Sequence, residues 1–375
     1  MILSVVALLQ AGTPQVPRVE FTKPAVTVDA EFSQIRGVRE LSDGRILVSD
    51  RIEQKVMAIN PRTGASAVVG RVGSGPGEYR FPTSLYATPG DSAILIDEGN
   101  SRVAVIGPDA RIKRVWSLML PGAGAPMGSR GRDARGRFYI QIPSWIHSRG
   151  PGKDSVVIVR FDETSNRVDT LTVIKGSTPP PHPEYSPVPR IPMVIFAPQD
   201  GWAVAPDGAF AVVRSGDYHV EWTTADGVVT RGPRIAYTPL AVSESEKTAY
   251  TKRFLERTGV GGRTGNIEAL TEAEKSPQAV AQMVKANTFA ERKGAFTDAA
   301  PIAGADGSLW VERSGPVGSR VEYDVFNRRA ERVRTVRLAP ASRLAAVGRS
   351  VAYVIREDDD GVEHLELHSL PGSGS

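Results

Sequence analysis

Five histidines, His147, His182, His219, His364 and His368, are the side chains of this chain best suited to move a proton near neutral pH. None belongs to an HExxH pair, and no Gly-x-Ser-x-Gly turn exposes a serine nucleophile. Cysteine is absent, which excludes thiol nucleophiles, thiolate metal sites and disulfides. His364 and His368 would share one side of a strand through "VEHLELHSL", about 13 Å apart. That is too far to grip one ion, and both are expected on the surface. "EDDDG" at 357–361 lacks calcium-loop spacing and suits a hairpin turn.

Chemistry is better served where aromatic, basic and acidic residues gather. Trp145 and His147 stand in "IPSWIHSRG", and His182, Glu184 and Tyr185 in a proline-rich stretch. Arg214 and Tyr218 stand in "VVRSGDYHVEW". Aromatic faces beside guanidinium forks suit a sugar, a peptide or a carboxylate. His147 or His182 within reach of Glu184 or Asp200 would instead make a general acid–base pair. Packing between sheets is the competing assignment for Trp145, Tyr185 and Tyr218.

Composition narrows the field only a little. Lys and Arg number 46 against 42 Asp and Glu, a net charge of +4, and only ten of the 46 are lysines. "SRGRDARGR" at 129–137 is basic but carries no interleaved aromatics, so nucleic acid is not an expected partner. The apolar run Ile2–Leu9 is too short to span a membrane and reads as an export signal or a frayed start over residues 1–18. A periplasmic or secreted location follows from the first of these.

The elements that position these residues show as a repeat. Glycine-centred turns at Gly44, Gly90, Gly136, Gly208, Gly307 and Gly348 each precede a β-rich run, at spacings of 46, 46, 72, 99 and 41. Strand, turn, strand, polar turn, strand over ~45 residues is the pattern of a propeller blade. Six units predict an all-β, six-bladed β-propeller over residues 19–370, with a flexible tail at 371–375. "VEFTKPAVTVD" is expected to close the ring by adding a strand to the last blade.

Two spacings are long. The first surplus holds eight prolines between Pro179 and Pro198 and predicts a proline-rich loop insertion over about 176–198. The second predicts a helical insertion over about 240–294. One helix is expected to start at Ser243 with Glu246 in capping-box spacing, and another at Ser276–Pro277 with Ala279, Val280, Met283 and Val284 on one face.

Residues 71–111 then carry a resemblance. Gly73, Gly75 and Gly77, followed by Tyr79, Pro82 and an Asp-x-x-Asn-x-Arg corner at Asp97, Asn100 and Arg102, are similar to one NHL-type repeat of the six-bladed propellers. The match covers about one blade; the first blade keeps Asp50 but has Gln54 in place of the asparagine. The resemblance implies the fold and leaves activity open, since the family includes scaffolds, sensors and a few enzymes. A phosphate loop would need a helix after the glycines, and a strand follows, so the stretch is punctuation between blades. Arg102 is expected to pair with Asp97.

Channel-lining positions fall near Arg36, Thr83, Met127, Gln199, Asp200, Ile302 and Arg343. One carboxylate among them does not make a metal site, and no cofactor is expected. The function expected is an exported, monomeric binding protein for a peptide, glycan or protein partner, with Arg36 and Arg343 joining the aromatic set. The alternative is a propeller hydrolase, lactonase or lyase beneath the two insertions.

Overall fold

A strand covered on both faces reads as an unbroken apolar run, and a strand at the rim does not. Ile46–Asp50 is buried at every position, whereas Ser66–Val68 of the same sheet is exposed throughout. The computed structural model describes residues 16–117, 129–143, 154–177, 193–257, 260–261, 267–268 and 276–371. Six sheets stack face to face around one axis.

The first five blades each run outward in chain order as antiparallel strands. Blade one is Ile35–Glu40, Ile46–Asp50, Lys55–Ile59 and Ser66–Val68; blade two is Pro82–Thr88, Ser92–Asp97, Arg102–Ile106 and Ile112–Trp116. Blade three is Ser129–Arg132, Phe138–Pro143, Ser155–Asp162 and Arg167–Lys175; blade four is Gly201–Val204, Phe210–Arg214, His219–Thr223 and Val229–Arg231. Blade five is Ile302–Ala303, Leu309–Glu312, Glu322–Phe326 and Arg332–Leu338. Blade six supplies Ser342–Val347, Val351–Glu357 and Glu363–Ser369, and each inner strand touches the next around the ring.

Closure differs in one respect from expectation. β1 (Arg18–Phe21) and β2 (Val26–Phe32) do not both join the last blade. β2 pairs antiparallel with Glu363–Ser369 and completes blade six, but β1 lies parallel to Arg332–Leu338 as a fifth strand on blade five. Pro24, which lacks a ladder donor, sits in the break between them. This placement also corrects the expectation for His368. Phe21 of β1 stacks on its ring at 4.9 Å and leaves the histidine only 3% exposed.

Five of the six turn glycines have φ between +74° and +87°, the left-handed region that side chains resist. At the sixth, Gly348, the demand is space: a Cβ would fall 2.2 Å from the Glu40 carboxylate.

The glycine-rich connector into blade two is held as the residue types suggest. Asn100 donates to Gly73 O at 3.0 Å, and Arg102 donates to Ser74 O at 2.8 Å and to Glu78 O at 2.8 Å. Asp97, fully buried, accepts from Arg80 N, Asn100 Nδ2 and Arg102 Nε, all at 2.8 Å. Tyr79, also fully buried, accepts from Val56 N at 2.9 Å and ties the connector back to blade one. Removing Asp97 strands Arg102 with no counter-charge in a low-dielectric corner. Asp97→Ala is therefore expected to lower stability by about 3–5 kcal/mol, read from urea unfolding. A loss under ~1 kcal/mol would show that the corner does not hold the blades together.

The helical insertion forms α1 (Glu244–Arg257) and α2 (Pro277–Ala286). Ser243 and Ser276 cap them through Glu246 N and Ala279 N, each at 3.3 Å. Glu246 does not complete the capping box. Its carboxylate is 5% exposed and accepts from Lys293 Nζ at 2.8 Å and Val317 N at 3.1 Å, which pins α1 to blade five. Ile195 and Met283 form a small core with Phe196, Tyr250, Phe254 and Phe289, so the described end of the proline-rich segment packs against both helices.

Candidate functional site

Inner strands begin on one face of the ring, the front face, and both insertions leave and rejoin the ring there. The acidic residues at this end are mostly structural. Asp50 accepts from Ser33 N and Gln34 N, and Glu363 accepts from Ile35 N at 2.6 Å and joins blade six to blade one. Arg343, expected in the channel, is spent on the same seam: its Nη2 donates to Ile35 O at 2.9 Å and to the Glu363 carboxylate at 2.8 Å. Arg36 is exposed, with Nε donating to Gln34 at 3.1 Å.

Arg214 likewise holds blade four together. It reaches Asp200 at 3.0 Å and Glu221 at 2.8 Å. Asp200 also accepts from Ser215 N and Oγ, so it is committed to the turn and is not a spare base. Tyr218 is a core residue, 1% exposed, and donates across the blade boundary to Asp324 at 2.5 Å. Burial raises that phenol well above its ordinary range, with Asp324 adding to the shift. Tyr218→Phe is expected to cost about 1–3 kcal/mol by leaving a buried carboxyl short of a donor, measured by thermal or urea unfolding. A stability unchanged within ~0.5 kcal/mol would mean Arg332 and Arg313 alone satisfy Asp324. Met127, Trp145, His147, His182, Glu184 and Tyr185 lie outside the described residues.

What the fold does bring together lies between blades three and five. A front-face cleft there is lined by Arg130, Gln141, Lys175, Gln199, Asp200, Thr297 and Asp298 among others. Trp202 fixes one wall: it is fully buried, donates to Gln141 at 2.8 Å, and carries the Arg130 guanidinium 5.5 Å above its ring.

Blade five supplies the acids. Thr297 donates to Glu312 Oε1 at 3.3 Å, and Tyr323 donates to Glu312 Oε2 at 3.1 Å while accepting from Leu344 N. Asp298 is exposed at the cleft, and the neighbouring protein, by taking part of its hydration, pushes its carboxyl up. Burial pushes Glu312 up too; Asp298 adds to this, while the bonds from Tyr323 and Thr297 and the charge of Arg253 on α1 oppose it.

Asp298 was missed by sequence reasoning, which searched histidines and aromatics. Glu312 carried a signal: it ends the second strand of its blade, as Asp50 and Asp97 end theirs. Among the described residues, no three His, Asp or Glu side chains are grouped to hold a metal ion, and no helix is long and apolar enough to cross a membrane.

Neither a family model nor a curated protein matches the chain. Solved structures similar to it include a calcium-binding regucalcin from Agrobacterium tumefaciens, at 12% identity and TM-score 0.41, covering 94% of this chain and 97% of that one. A gluconolactonase from Xanthomonas campestris is similar at 11% identity and TM-score 0.43, covering 96% and 99%. A virginiamycin B lyase from Staphylococcus aureus is similar at 10% identity and TM-score 0.38, covering 93% and 88%. The six-bladed architecture rests on this protein's own strand pairing.

Proposed function

We propose that the cleft between blades three and five is the acid–base site of a hydrolase or lyase, with Asp298 as the group that gives and takes the proton. The observation that carries this reading is the placement of two carboxyls, Asp298 lining the cleft and Glu312 bonded to the cleft residue Thr297 at 3.3 Å, with lost hydration pushing both upward. In hydrolysis, protonated Asp298 donates to the leaving oxygen as its bond to carbon breaks, and water supplies the replacing oxygen. In an elimination, the ionised carboxylate removes a C–H proton and the leaving oxygen departs with the electron pair of its bond.

The test is a panel of lactones, glycosides and uronate-containing oligosaccharides assayed with the full chain. Turnover lost in Asp298→Asn supports the assignment, and turnover undiminished in that variant overturns it. A second reading, recognition of a peptide, glycan or protein partner, is favoured by the size of the cleft. Its described walls enclose about 30 Å³, room for one or two waters. Such a notch receives one group of a larger ligand. Binding of an oligosaccharide or peptide with no turnover across the panel would favour it.

A further inference from the structure

Three arginines around the front face have acidic partners: Arg102 has Asp97, Arg214 has Asp200 and Arg343 has Glu363. Arg130 does not. Among the described residues no carboxylate pairs with it, although it is only partly exposed. A guanidinium that has lost hydration without gaining a counter-charge is costly, and the fold fixes its position by laying it on the wedged Trp202 ring.

The rest of the cleft suits an anion. Lys175 adds a second cation, and Gln141 and Gln199 add amides. Of the acids lining it, Asp200 already has its oxygens engaged by Arg214 and Ser215, and the Arg214 charge offsets part of its own. Asp298 is pushed toward its neutral form, which weakens its repulsion of an arriving anion. A planar carboxylate matches the guanidinium fork with two parallel hydrogen bonds.

We propose that Arg130, stacked on Trp202, is a specificity-determining residue that receives a carboxylate group of the ligand. This rests on the cleft being the functional site, and it names the ligand class as a carboxylate-bearing one such as a sugar acid.

The test compares sodium glucuronate with glucose by isothermal titration at low salt, on the full chain. Wild type is expected to bind glucuronate at least about tenfold more tightly than glucose. Arg130→Gln should erase that preference, and Arg130→Lys, which keeps charge but not the fork, should weaken glucuronate binding several-fold. Asp298→Asn should keep or strengthen it.

Equal affinity for the two sugars, no measurable glucuronate binding, or a preference unchanged in Arg130→Gln would overturn the proposal. If Arg130→Gln does not fold, an unchanged preference in Arg130→Lys overturns it instead. Glucuronate binding without turnover of any substrate would remove the acid–base reading and leave this one standing. Turnover of neutral substrates, lost in Asp298→Asn but indifferent to Arg130→Gln, would do the reverse.

Discussion

Asp298→Asn is expected to lower turnover by about 10²–10⁴-fold while leaving the thermal transition in place. The substitution is nearly isosteric, and the side chain meets solvent, so no core contact is lost. What disappears is the transferable proton. Activity that needs the protonated carboxyl should persist above the ordinary carboxylate range and fall as pH rises through the raised value.

The neighbouring acid gives the sign a second check. Asp298 is one of the groups that raise Glu312, so Asp298→Asn should bring the Glu312 titration down. Arg253 opposes that rise, so Arg253→Gln should push it further up. Carbon NMR of glutamate-labelled protein over a pH series reads both shifts. Motion in neither variant would mean that α1 and the cleft do not share one electrostatic environment. Linkage runs the same way for stability: a folded state that binds the proton more tightly than the unfolded chain loses stability as pH rises between the two values.

Deleting residues 1–32 is expected to abolish cooperative unfolding. Phe21, Val28 and Phe32 are each 4% exposed, and burying them contributes about 5–9 kcal/mol together. That is comparable with the whole net stability of a domain, about 5–15 kcal/mol. The deletion also leaves Glu363–Ser369 as an open sheet edge, uncovers His368, and removes the ion pairs of Arg18 with Glu322 and Glu20 with Arg320. Aggregated or molten material is the expected product, and a synthetic peptide spanning residues 16–34 should restore a sharp transition. A truncated protein that melts cooperatively at the wild-type temperature would show that the ring is closed by blade stacking alone.

Legibility followed the range of the interactions. Gly44, Gly90, Gly136, Gly208 and Gly307 are local devices, since a left-handed turn between two strands is written in the few residues that make it. Asp97, Asn100 and Arg102 act within six residues and on the connector just before them, so their roles were readable as well. Ser243 was legible as a cap. Glu246 was not, because its partners Lys293 and Val317 are 47 and 71 residues away. The same distance hid Tyr218, whose hydroxyl is claimed by Asp324, 106 residues on.

Alternation, turn glycines and repeat spacing, all properties of neighbouring residues, were enough to specify six radial sheets and to mark where the ring is interrupted. Whether a given charge is spent or free was decided only by the tertiary structure. Arg214 and Arg343 looked available in sequence and are consumed, the first within blade four and the second at the seam of blades six and one, while Arg130, in an unremarkable basic stretch, is left without a carboxylate among the described residues. A side chain's type travels with the chain, but its counter-charge and its hydration depend on which distant strands arrive beside it.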